Sequence, residues 1–212
     1  MLLALLVLLA GPVLPVQAGT FSDLVMAPGL LVAAPTGTVA RYSMTRHLPA
    51  HAETAGTAAE VRPLVPVVDG RLELAVVENG GGRHLALRRD MNGKAEPEIT
   101  FPADGPNPVL LYFLENVVRG IASETGGSPF YIRNRIREVL AAAGIPAGQG
   151  PQQVILQPFA QDPNRDRMGI YGDLTLSISV DPARPDRILA LSADTAAGDS
   201  GYSEHLLLVP GE

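Results

Sequence analysis

The residues best suited to hold an anion lie together between positions 131 and 137, which read Tyr-Ile-Arg-Asn-Arg-Ile-Arg. Arg133 and Arg137 are four residues apart, so on a helix both guanidinium groups lie on one face. Two such groups clamp a carboxylate or a phosphate through paired hydrogen bonds. The sequence therefore predicts a ligand-binding site for a small anion or an acidic partner at Tyr131, Arg133, Asn134 and Arg137. The alternative is a solvated polar stripe opposite the apolar face of the same helix.

A second polar stretch, residues 162–166, reads Asp-Pro-Asn-Arg-Asp and has the alternating oxygen-bearing side chains with which calcium-binding loops begin. It lacks the turn glycine after the third ligand and the distal bidentate glutamate of such loops. Arg165 and Arg167 would also add positive charge beside the ion. The stretch therefore predicts a polar turn held by Asx hydrogen bonds.

Residues 198–201 read Gly-Asp-Ser-Gly, the tetrapeptide around the nucleophilic serine of chymotrypsin-like proteases. Those proteases are built from strands, and several strands that form their specificity pocket follow the serine. Here only eleven residues follow Gly201, and two helices are predicted in the middle of the chain. The tetrapeptide therefore predicts a turn ahead of the last strand.

The four histidines are His47, His51, His84 and His205. The first two fall in or beside a predicted loop and the others on predicted strands, so none forms the helical pair typical of a zinc site. The chain has no cysteine, which excludes thiolate nucleophiles and disulfides. The sequence also lacks a glycine-rich phosphate loop and a nucleophile elbow. We therefore expect no metal and no cofactor.

The composition is that of a globular chain with an aliphatic core. Of 212 residues, 46% are hydrophobic, 18% are charged and only 5% are aromatic, a balance that favours folding over disorder. The formal net charge of −6 disfavours nucleic-acid partners, whose phosphates require clustered cations. The length allows a single domain, which we expect over residues 19–212.

The first ten residues, MLLALLVLLA, are uncharged and apolar, and a Gly-Pro pair ends the run at residue 12. Residues 16–18 read Val-Gln-Ala, as at a signal-peptidase site. A membrane span needs ~20 apolar residues, about twice the length of this run. Residues 1–18 are therefore predicted to be a signal peptide cleaved after Ala18, although no Lys or Arg precedes the apolar run. The mature chain would then be periplasmic or secreted, without a stable membrane anchor.

Two central helices are predicted at residues 107–126 and 128–144. Each begins with a capping side chain followed by proline at the first helical position, and each ends at glycine. Apolar residues recur between these limits at helical spacing. The predicted anion-binding residues lie on the second of the two helices.

Alternation of apolar and polar residues predicts strands before and after the helices. The clearest is 174–180. A strand at 40–45 and a hairpin over 72–87 with a glycine turn at 80–82 are also predicted. Further strands are predicted at one or two places within 21–34 and at 154–156, 188–193 and 206–209. A Pro/Ala/Thr-rich stretch near 49–68 is predicted to be a loop. Because strands and helices occur in blocks, the predicted fold is α+β, an antiparallel sheet of roughly seven to nine strands with the two helices packed on one face.

Two pairs of segments resemble each other. Residues 70–74 (GRLEL) are similar to 172–176 (GDLTL), and residues 83–87 (RHLAL) are similar to 187–191 (RILAL). The similarity indicates either a duplicated hairpin or the pattern that all alternating hairpins share.

With no convergent catalytic set, we expect a non-catalytic periplasmic binding, carrier or envelope-assembly module whose partner is a small ligand or an envelope protein. The alternative is an exported hydrolase with catalytic residues dispersed in sequence, such as His84 or His205 with a carboxylate.

Overall fold

The computed structural model of the protein describes residues 19–49, 64–145 and 148–210. These segments contain eight strands: β1 (Gly37–His47), β2 (Val67–Asn79), β3 (Gly82–Met91), β4 (Lys94–Pro102), β5 (Gln152–Leu156), β6 (Thr175–Val180), β7 (Ile188–Asp194) and β8 (Ser203–Leu208). They also contain three α-helices: α1 (Phe21–Val25), α2 (Pro108–Thr125) and α3 (Pro129–Ala142). The predicted signal peptide and residues 50–63 of the predicted loop lie outside the described residues.

All eight strands form one antiparallel sheet in the order β4-β3-β2-β1-β8-β7-β6-β5. The first meander (β1–β4) and the second meander (β5–β8) each pair strands that are neighbours along the chain. They join where β1 pairs with β8. The predicted α+β class and the predicted number of strands are confirmed.

The main core lies between α2 and one face of the sheet. Val109, Phe113 and Val117 of α2 are fully buried, and they belong to one cluster with sheet residues such as Leu87 and Leu191. Helix α2 contacts β3 and β7, whereas the helical neighbours of α3 are α1 and α2. The packing of both central helices on one sheet face therefore stays a prediction. The opposite sheet face, called the open face below, carries mostly half-exposed and exposed side chains, with the paired alanines Ala75 and Ala86 buried among them.

The predicted hairpin turn is confirmed, with one change. Gly82 belongs to β3, and the turn consists of Gly80 and Gly81 between the paired residues Asn79 and Gly82. Gly80 and Gly81 have φ angles of 60° and 81°. Two successive positive φ angles are what a two-residue type I′ hairpin turn requires, and glycine reaches them without steric cost.

The prediction of short strands within residues 21–34 was wrong. Residues 21–25 form α1, because Thr20 and Asp23 make a capping box at its start. The Thr20 hydroxyl accepts a hydrogen bond from the Asp23 N–H at 3.1 Å, and the Asp23 carboxylate accepts one from the Thr20 N–H at 2.8 Å. This reciprocal pair satisfies two backbone donors that a helix start leaves free.

The two similar segment pairs fall on equivalent parts of the two meanders, at β2 and β6 and at β3 and β7. Their registers differ, however. Leu74 pairs with Leu87 in the first hairpin, whereas Leu176 pairs with Ala193 in the second. If the second hairpin had the register of the first, Leu176 would pair with Leu191, which is two residues before its actual partner Ala193. The two hairpins therefore share a topology but differ in register.

Candidate functional site

The structure separates the four predicted ligand-binding residues of α3 into three environments. The Tyr131 hydroxyl lies 2.8 Å from Oδ1 and 2.9 Å from Oδ2 of Asp162, which is buried. Arg133 donates to the Glu115 carboxylate of α2, with its Nη2 atom 2.9 Å from Oε2. Arg133 is thus already paired with an acidic side chain, and a joint clamp formed by Arg133 and Arg137 stays a prediction.

Asn134 and Arg137 line a groove between α1 and α3. The groove has a volume of about 570 Å³, and its other lining residues are Ser22, Met26, Glu138, Leu140 and Ala141. Glu138 is paired with Arg135 at 2.5 Å. Arg137 is exposed and has no hydrogen bond or ion pair with any residue of the described segments. The groove thus combines one uncompensated cation and polar side chains with an apolar wall.

Helix α1, which forms the other side of this groove, is fixed by backbone contacts. Thr20 bridges Gly144, and the Phe21 N–H donates to the Ala143 carbonyl at 2.8 Å, so the start of α1 is tied to the end of α3. The hydrogen bond from the Thr20 backbone lowers the pKa of Asp23, which keeps the capping carboxylate ionised. Phe21 and Val25 are fully buried and anchor the helix in the core.

The polar turn at 162–166 is the Asx turn predicted from the sequence. The Asn164 N–H donates a hydrogen bond to Asp162 Oδ1 at 2.7 Å. Arg135 Nε lies 2.7 Å from Asp162 Oδ2, but its N–H does not point at that oxygen. The contact between Arg135 and Asp162 is therefore an ion pair and not a hydrogen bond. The carboxylate of Asp162 is therefore fully engaged by protein groups. In the segments that the structure describes, no group of three or more histidine, aspartate or glutamate side chains is placed to hold a metal ion.

The Gly-Asp-Ser-Gly stretch forms a 3-10 turn, Gly198–Ser200, immediately before β8, as predicted. The Ser200 hydroxyl donates to the Ala197 carbonyl at 2.9 Å. His47 Nδ1 lies 2.8 Å from the Gly201 carbonyl oxygen. These contacts are those of a structural turn.

A histidine–carboxylate pair lies on the open face. His205 Nε2 of β8 is 2.7 Å from Asp194 Oδ1 of β7, and both side chains are half-exposed. The sheet register places Thr45 and Ser192 opposite His205 on the two neighbouring strands. These are two hydroxyl residues beside a potential base.

Sequence reasoning missed a buried polar cluster under α2. Arg46 of β1 and Glu204 of β8 are cross-strand partners, and Arg46 Nε donates to Glu204 Oε2 at 2.6 Å. Asn116 and Tyr202 donate to the two oxygens of the same carboxylate at 2.9 and 3.0 Å. The pairing of residues so distant in sequence leaves no local pattern by which it could be found.

Electrostatics keep the Tyr202 and Arg46 side chains of this cluster protonated. Burial, with the Glu204 carboxylate beside it, holds the pKa of Tyr202 well above its usual value, so its hydroxyl stays a donor. Burial disfavours the charged form of Arg46, yet the neighbouring Glu204 carboxylate raises its pKa above the usual value. Arg46 and Glu204 thus form a buried ion pair, which favours a structural role.

No helix in the described part of the chain is long and apolar enough to cross a membrane. In comparisons with known proteins, neither a family model nor a curated protein sequence matches this chain.

Proposed function

We propose that the protein is a non-catalytic binding module whose ligand is a small amphipathic anion held in the groove between α1 and α3. The observation that carries the proposal is Arg137, an exposed cation that lines the groove. It forms no hydrogen bond or ion pair with any residue that the structure describes. Small-molecule sites combine an apolar wall with a few polar groups that fix orientation. The groove has this composition, with Met26 and Leu140 as its apolar part.

The groove chemistry defines the ligand class. A carboxylate accepts two hydrogen bonds from one guanidinium, and Asn134 adds a further donor beside Arg137. An aliphatic chain attached to that carboxylate would cover Met26 and Ala141, with the buried Leu140 beneath them. Glu138 is already paired with Arg135, so its charge is partly compensated beside the bound anion.

Binding of a medium-chain carboxylate tests the proposal. We expect decanoate to bind more tightly than decanol, because only the acid can pair with Arg137. Arg137→Gln should weaken decanoate binding about tenfold, the effect of losing one charge-assisted hydrogen-bond pair. Isothermal titration calorimetry below the critical micelle concentration gives the dissociation constants.

Arg167→Gln is the matched control, because Arg167 is an exposed arginine that does not line the groove. It removes the same charge and should leave the affinity unchanged. Equal affinity for acid and alcohol, or equal weakening by both substitutions, would count against the groove as an anion site.

Export to the periplasm or the medium is the second part of the proposal. The contacts that fix the start of the fold begin at Thr20, which caps α1 and bridges Gly144. A cut after Ala18 would leave every one of these contacts intact. N-terminal sequencing of the protein from a periplasmic fraction should read Gly19 first, and an intact Met1 would contradict export.

An exported hydrolase is the second candidate function, favoured by the pair of His205 and Asp194 with hydroxyl residues on both neighbouring strands. A general base must reach the proton of its nucleophile. Labelling of Ser192 or Thr45 by a fluorophosphonate probe, lost in His205→Ala, would favour the hydrolase. The binding proposal predicts no labelling.

A further inference from the structure

We propose that the outer edge of β5 is a self-association surface, on which the β5 strand of a second copy of this chain adds in antiparallel orientation. β5 is the last strand of the sheet, and within the described segments it pairs only with β6. Its outer side therefore presents unpaired backbone N–H and C=O groups, which form a template for another strand.

The two edges of the sheet differ in how they are protected. The opposite edge strand, β4, contains Pro97 and three charged residues, and a register irregularity interrupts its pairing with β3. Proline, charges and irregularities are the devices that block strand addition. β5 reads Gln-Gln-Val-Ile-Leu, pairs regularly over all five residues, and has none of these devices.

The side chains of β5 also fit another strand. Val154 and Leu156 face the core, whereas Ile155 lies on the open face and is 64% exposed. Gln153, on the same face, donates to the Ser177 hydroxyl of β6 at 2.6 Å, which holds its side chain over the sheet. An added strand would cover Ile155 and continue the sheet.

The absence of charge argues for a second copy over a partner selected by charge. Residues 148–161 contain no charged side chain, and neither does β6. If a two-fold axis passes through Val154, Gln153 of each copy pairs with Ile155 of the other copy. No like charges then face each other across the interface. Two-fold symmetric interfaces of this self-complementary kind are the most frequent in soluble oligomers.

The expected dimer is weak. A five-residue strand covers less area than the ~800 Å² per partner of a stable interface, so association should depend on concentration. Sedimentation velocity should show a monomer at about 5 µM and a substantial dimer fraction at about 500 µM, as mass action requires. Because each chain carries a net charge of −6, added salt should strengthen the dimer.

Substitutions test the surface and the register. Ile155→Lys should abolish the dimer, and Val68→Lys should not, because Val68 is equally apolar and 84% exposed but belongs to an inner strand. The combination of Gln153→Glu and Ile155→Lys should restore the dimer, because each new lysine then faces a new glutamate across the two-fold axis. Thermal unfolding of each variant confirms that it is folded.

Three results would overturn the proposal. They are a monomer at all concentrations, a dimer that persists in Ile155→Lys, and a double variant that stays monomeric while Ile155→Lys alone is folded. Hydrogen exchange gives a second readout that needs no substitution. The backbone amides of β5 should become more protected at the higher protein concentration, whereas those of the β4 edge should not.

Discussion

Arg46 and Glu204 are 158 residues apart in the chain and adjacent in the sheet. Their side chains are 4% and 0% exposed, so both charges are removed from water. Such a pair is tolerated only if other hydrogen bonds complete it. Asn116 and Tyr202 supply those bonds on the carboxylate, and the Val65 carbonyl accepts from Arg46 Nη1 at 3.2 Å. Arg46 Nη2 is buried and has no hydrogen-bond partner among the described residues, so the cluster is only partly satisfied. At the scale of single residues, the stability of this cluster therefore depends on partners that only the folded chain brings together.

Neutralising the buried carboxylate should therefore be costly. Glu204→Gln leaves the guanidinium of Arg46 buried without a counter-charge, and we expect a loss of about 3–5 kcal/mol in the free energy of unfolding. Urea denaturation at neutral pH measures it.

The control for that experiment is Glu98→Gln, which removes an exposed ion pair with Arg88 at 2.8 Å. Exposed pairs contribute about 0–1 kcal/mol, so this variant should stay close to the wild type. Similar losses in both variants would mean that burial of the Arg46–Glu204 pair has no special energetic consequence.

At the scale of elements, the starts of the two central helices differ in a way that the sequence does not reveal. Both begin with a capping residue followed by proline. Asn107 is fully buried, accepts from the Val109 N–H at 3.0 Å and donates to the Asp186 carbonyl at 3.2 Å. Ser128 is exposed and makes no capping hydrogen bond with its side chain. The first cap therefore also links α2 to the turn before β7.

Alanine at each cap tests this difference. Asn107→Ala should lower the free energy of unfolding by about 1–2 kcal/mol, because it removes the cap and leaves the Asp186 carbonyl without its donor. Ser128→Ala should change it by less than about 0.5 kcal/mol. Thermal or urea unfolding of both variants provides the comparison, and equal losses would show that the Asn107 contacts are energetically unimportant.

The elements that the sequence predicted correctly are those with a local signal. The alternation of Leu174 to Val180 marked β6, and the cap and proline at residues 107 and 108 marked α2. β4 went unpredicted because Pro97 and its charged residues hide the strand pattern at an edge. α1 was misread because its apolar run obscured the capping box of Thr20 and Asp23.

The candidate site was only partly predictable for a related reason. The helical spacing of the residues on α3 was enough to predict Arg137 and Asn134 as ligand-binding residues. It could not show that Arg133 turns to Glu115, that Tyr131 binds Asp162, or that α1 forms the other wall of the groove. Those contacts join segments that are distant in sequence, so they follow from the tertiary fold alone.

At the scale of the whole molecule, two meanders are joined by one strand pairing, β1 with β8, and the Arg46–Glu204 pair lies at that junction. A buried ion pair there fixes the register of the two halves, since a slip by one residue would point one charge to the open face. Helix α2 covers the junction through Asn116. The groove between α1 and α3 and the edge of β5 both lie away from this junction, where the proposed ligand and the proposed second copy would bind.

Chemical-shift mapping of decanoate binding on the ¹⁵N-labelled protein, with decanol as reference, tests the central claim most directly. We predict that the largest acid-specific shifts fall on the backbone amides around Ser22, Met26, Asn134 and Arg137, and that Arg137→Gln removes them. Acid-specific shifts centred on His205 and Asp194, or no shifts at all, would contradict a binding module that uses the groove between α1 and α3.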